Sequence, residues 1–115
     1  MIRVTLDNPS CHGGDRLRGT IRSDEAPSRV AACWYTEGKG TPNSGPYLHA
    51  SVTPVGPRSF AFELPLPREP RSYDGVLVKI RWRLEVLAGG EDAEIPFELL
   101  PPRPRDGAPY REGAR

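Results

Sequence analysis

At 115 residues and a net charge of +1, the chain has room for one domain with a modest core, and no overall field announces a nucleic acid or a membrane as its partner. Its 14 prolines and 12 glycines exclude a helical protein, because proline removes a backbone donor and breaks helix interiors. No segment reaches the ~20 apolar residues of a membrane helix. The opening MIRVTLDNPS alternates like a strand with no run of signal-peptide character, so the expectation is a soluble, cytoplasmic chain.

In chain order, Ile2, Val4 and Leu6 alternate with Arg3 and Thr5, and DNPSCHGGD then breaks the run. Leu17, Gly19 and Ile21 alternate with Arg18, Thr20 and Arg22 and predict a second strand. Residues 30–35, VAACWY, form a short apolar run suited to burial on both sides, and TEGKGTPNSGP after it is loop chemistry. Residues 47–55 predict a weaker strand with Leu48, Ala50 and Val52 on one side. Phe60, Phe62 and Leu64 predict a sharper one.

Pro65, Pro67 and Pro70 follow in LPLPREPRSYDG. None can donate to a ladder, so this corner must leave its strand and cross the end of a sandwich before re-entering at Tyr73. Asp74-Gly75 then turns the chain into the longest strand, residues 76–86. Val76, Val78, Ile80, Trp82, Leu84 and Val86 share one face of it; Leu77, Lys79, Arg81, Arg83 and Glu85 share the other. Ala-Gly-Gly at 88–90 ends the strand, and Ile95, Phe97 and Leu99 predict the last one. Seven strands without a helix predict an all-β, immunoglobulin-like antiparallel sandwich over residues 1–100. Residues 101–115, rich in Pro, Gly and Arg, have too little to bury and predict a flexible tail.

The corner carries a resemblance. Phe60, Phe62, Leu64, Pro65 and Pro67, then Ser72, Tyr73 and Gly75, then Ile80, Arg81 and Trp82 resemble the arrestin-like family's phenylalanine strand, Leu-Pro corner, Ser-[Phe/Tyr]-x-Gly turn and following strand. Gly14, Asp15, Leu17, Gly19 and Ile21 are similar to another strand of that family, with Gly13 where the family usually has Pro. The resemblance spans roughly residues 2 to 100, and its motifs mark a fold rather than a reaction. It implies an arrestin-like sandwich, bacterial in origin, acting as an adaptor or scaffold. Most family members carry two such sandwiches, so homodimerisation is one way for this chain to recover a pair.

For chemistry, Ser10, His12 and Asp15 lie close in one turn, but nearness in sequence does not orient a proton relay. Cys11, His12, Cys33 and His49 are the inventory of a zinc site without its paired spacing, and the cysteines are expected as free thiols. The glycines of EGKGTPNSG lack the Gly-Lys-Ser/Thr ending of a phosphate loop. No catalytic residue, metal or cofactor is therefore assigned. A nucleic-acid face is not expected either, since Trp82 points inward and Trp34 sits in an apolar run.

The strongest surface feature is Lys79, Arg81 and Arg83, at two-residue intervals of about 6–7 Å. Arg18 and Arg22 join them if the two strands share a sheet. Such a stripe suits an anion, whether a phosphopeptide or an acidic headgroup. It is equally a solvated face balanced by Glu63, Glu85 and Glu98 on neighbouring strands. The reading is a non-enzymatic module that binds a protein partner through a sheet face, an edge strand or the loop at 36–46. The alternatives are an anion reader on the basic stripe and, behind it, a small metal-dependent enzyme.

Overall fold

A computed structural model of the chain describes residues 1–75 and 77–103. Ten strands form among them: β1 (Arg3–Leu6), β2 (Ser10–His12), β3 (Arg16–Arg22), β4 (Arg29–Gly38), β5 (Leu48–His49), β6 (Ser51–Gly56), β7 (Ser59–Pro65), β8 (Tyr73–Asp74), β9 (Val78–Ala88) and β10 (Glu91–Leu100). A four-stranded sheet in the order β1-β3-β7-β6 packs on a six-stranded one in the order β2-β10-β9-β4-β5, with β8 pairing β9 beside the main path.

The alternation read from the sequence holds on β9 from Trp82 onward, whereas Val78, expected inward, is exposed at the strand's start. Trp82, Leu84, Val86 and Ala88 are buried, while Lys79, Arg81, Arg83 and Glu85 stand on the other side with partial exposure. Trp82, only 1% exposed, anchors this layer: its ring centroid lies 5.8 Å from that of Phe97, and its Nε1–H donates to the Pro70 carbonyl at 2.7 Å. Burying an indole removes ~150–250 Å² from water, and the hydrogen bond spares its polar atom the cost of isolation. Leu17, Ile21, Phe62 and Leu64 face Trp82, Leu84, Val86 and Leu99 in one core. Gly19 belongs to that core by necessity, because a Cβ there would strike the Thr5 carbonyl and the Phe62 ring.

Two turns show local chemistry choosing the path. Gly89 and Gly90 join β9 to β10 with φ of +57° and +81°, the pair of left-handed residues that a tight hairpin turn demands. The proline corner carries the chain from β7 in the small sheet to β8 and β9 in the large one, as expected. On the way Leu66 is buried, and its N–H donates to the Asp15 carbonyl at 2.9 Å.

The differences from the sequence reading lie in short elements. β2 runs parallel to β10, so the larger sheet is mixed rather than wholly antiparallel. The 47–55 strand divides at Ala50: β5 pairs with β4 in one sheet and β6 with β7 in the other. β10 starts at Glu91, four residues before the first apolar marker at Ile95. Val76 and the tail beyond residue 103 lie outside the described residues. Pro101 and Arg103, at the start of that tail, contact the body through His12 Nδ1 at 2.7 Å and Asp15 at 3.2 Å.

Candidate functional site

The outer face of the larger sheet is built around β9, with β4 on one flank and β8 and β10 on the other. Lys79 Nζ lies 3.4 Å from Asp74 of β8, and Arg81 Nε donates to Glu37 of β4 at 3.1 Å. A terminal nitrogen of Arg81 also lies 3.9 Å from Asp74, and Arg83 lies 3.5 Å from Glu94 of β10. Every cation of the stripe thus has a carboxylate, but from partners other than those the sequence suggested. Glu63 sits on β7 in the opposite sheet, held by Arg16 and Arg18 at 2.7 and 2.6 Å. Glu85 pairs with Arg29 at 3.0 Å, and Glu98 accepts from the Ser10 hydroxyl.

Two tyrosines outside the basic stripe complete this face. The Arg83 guanidinium lies 4.8 Å from the Tyr35 ring centre, and Arg29 lies 4.6 Å from that of Tyr47. Burial works against the charge of Arg83, yet Cys33, Glu94 and Tyr47 hold its pKa above the ordinary value. Its Nε is enclosed and has no hydrogen-bond partner among the described residues. The alternation within residues 30–35 was the available signal: Ala31, Cys33 and Tyr35 share the face of Arg83, opposite Val30, Ala32 and Trp34. Where β8 and β10 fork away from β9, a depression of about 340 Å³ opens between Tyr35, Tyr73, Asp74, Arg81, Pro96 and Glu98.

Arg18 and Arg22 do not extend the stripe. Both lie on β3 in the smaller sheet, because the proline corner separates that sheet's strands from β9. Arg18 is bound to Glu63, whereas Arg22 has no carboxylate oxygen within 4.0 Å among the described residues.

The other sequence candidates disperse. Cys11 belongs to the core and Cys33 to the outer face, both as buried thiols, and burial pushes the Cys11 pKa up. Among the described residues no group of three His, Cys, Asp or Glu side chains is placed to hold a metal ion. Ser10 is engaged by Glu98 and His12 by the Pro101 carbonyl, while Asp15 accepts from the His12 backbone N–H at 3.3 Å. Asp15 thus caps the turn locally, while Ser10 and His12 are tied to β10 and to Pro101 beyond it. The loop at 36–46 folds back along β4: Thr36 N–H donates to the Asn43 carbonyl at 2.9 Å and Gly45 N–H to the Trp34 carbonyl at 3.0 Å.

This return and β5 cover β4, and β6 ends the smaller sheet as an edge strand. Each residue of Ser51–Gly56 is exposed, and none is charged. Pro54 pairs with Phe60 across the β6–β7 ladder. Proline is tolerated on an edge strand where its nitrogen faces away from the neighbour. By alternation Val52 also turns its N–H and C=O to the free side.

Neither a protein-family model nor a curated protein matches the chain. No helix long and apolar enough to cross a membrane occurs among the described residues.

Proposed function

We propose that the chain is a non-enzymatic interaction module whose β6 edge receives an extended segment of a partner protein. The observation that carries this reading is the uncharged, exposed run Ser51–Gly56 at the end of a sheet. Backbone pairing along such an edge supplies affinity, and alternate side chains supply specificity. Pro54 and the irregular register between Pro54 and Gly56 shorten the edge, which guards against unlimited strand addition while leaving Val52 open. An arrestin-like sandwich, an adaptor role and a cytoplasmic setting belong to the same proposal, supported by the corner motif of residues 60–82 and by the two free thiols.

The test is selection of extended peptides from a displayed random library, followed by affinity measurement on wild type, Val52→Pro and Arg81→Gln/Arg83→Gln. Val52→Pro removes an outward N–H and leaves the β6–β7 ladder intact. The expected result is at least a tenfold loss of affinity in that variant alone. Binders indifferent to Val52→Pro, or binders that fail on the double arginine variant instead, overturn the edge assignment. A dimer in sedimentation that dissociates on Val52→Pro would make a second copy of the chain the occupant.

A further inference from the structure

We propose that Arg3, Arg22 and Arg58 form an oxyanion site that takes a phosphate group at one end of the smaller sheet. Arg3 and Arg22 are direct partners across the β1–β3 ladder, so their side chains leave the same face side by side. Like charges placed directly opposite each other destabilise a sheet. Among the described residues neither has a carboxylate oxygen within 4.0 Å, whereas Lys79, Arg81, Arg83, Arg29, Arg16 and Arg18 each have one.

The third arginine comes from the β6–β7 turn. Arg58 has φ of +58°, a conformation that glycine adopts freely and that costs other residues backbone strain. Its carbonyl accepts the Ser23 N–H at 3.1 Å, which ties the turn to the residue after Arg22. Together with Met1, buried Ser23 and Asp24, the three arginines line a depression of about 450 Å³.

The charges around it are uneven. Asp24 lies 3.7 Å from Arg58, with both side chains well exposed, and Glu91 is occupied by the Met1 amine at 2.9 Å. Two guanidiniums remain without a carboxylate contact among the described residues. A carboxylate presents two oxygens in one plane and is engaged by two arginines where Glu63 meets Arg16 and Arg18. A phosphate offers oxygens on several sides and can draw on three donors at once. The chemistry therefore favours a phosphate dianion, free or as a small monoester.

The proposal is tested by titrating the whole chain with inorganic phosphate, and in a second arm with glycerol 2-phosphate, while following arginine Nε–H and backbone amide resonances. Sodium chloride at matched ionic strength serves as the control. Saturable shifts at Arg3, Arg22, Arg58 and residues 22–24 are expected, with at least a tenfold weaker affinity in Arg3→Gln/Arg22→Gln and no change in Arg81→Gln/Arg83→Gln. Saturation by the inorganic ion alone identifies free phosphate as the ligand; saturation by both extends the site to monoesters. Shifts that follow ionic strength only, or equal affinity in the Arg3/Arg22 variant, overturn the proposal. The same variant in phosphate-free buffer should melt no lower than wild type. A lower melting temperature there would make the arginine pair a structural contact and also overturn it.

Discussion

The two outer surfaces of the sandwich use the same residue type in opposite ways. On the larger sheet, Lys79, Arg81 and Arg83 emerge from one strand in a row, and the flanking strands bring Asp74, Glu37 and Glu94 alongside. On the smaller sheet, Glu63 serves Arg16 and Arg18 together, while Arg3 and Arg22 face each other with no carboxylate contact among the described residues. The row that looked most like a binding site in the sequence is the one that its neighbours quench. The pair of arginines without a carboxylate contact among the described residues stands 19 positions apart, which no linear pattern announces. What decides the character of a charge is the side chain that a neighbouring strand sets directly opposite it, as Asp74 to Lys79, or diagonally, as Glu94 to Arg83, not the residues beside it in the chain.

Changing the buried side of β9 should do far more than changing its charged side. Trp82→Ala removes the core's largest side chain and leaves the Pro70 carbonyl without its donor; urea melts should show a loss of about 3–5 kcal/mol. Wild-type stability in that variant would mean the register of β9 is displaced by one residue. Gly19→Ala tests the contact between the sheet backbone and Phe62. The added methyl has no room beside the Thr5 carbonyl, and a cost of about 1–3 kcal/mol is expected by the same measurement.

Arg83→Gln probes the quenched face alone. It breaks the stacking on Tyr35 and the contact with Glu94, with an expected destabilisation of about 1 kcal/mol. A larger loss would show that the enclosed guanidinium holds β4, β9 and β10 together.

The smallest effect concerns Glu63. Hydrogen bonds from Arg18 and then Arg16 hold its carboxyl below the ordinary glutamate pKa. A carboxyl depressed in the folded state contributes stability above its unfolded pKa and loses it as pH falls through the folded one. Acid titrations of stability should therefore show a shallower slope below the ordinary glutamate range in Glu63→Gln than in wild type. Identical slopes would mean that these exposed contacts are fully screened by solvent.

Much of the sandwich was legible because period-2 alternation survives in any sheet whose one face is buried. Residues 82–86, 17–21 and 60–64 keep the predicted sidedness, whereas Val78, expected inward, is exposed at the start of β9. β2 and β8 were not legible: at three and two residues they have no period, and each exists only because β10 or β9 offers a ladder. The break at Ala50 was hidden for a related reason, since a chain that changes sheets keeps its alternation while changing its neighbours.

From the sequence alone follow the all-β class, the inward set of β9, the proline corner and the glycine turn at 89–90, because each is written in local backbone chemistry or in side-chain period. Only the tertiary structure decided which carboxylate meets which cation, that Arg22 faces Arg3 rather than Arg81, and that β6 rather than β4 is left open. Those outcomes depend on strand order and register, which join residues tens of positions apart and leave no trace in the spacing of either strand.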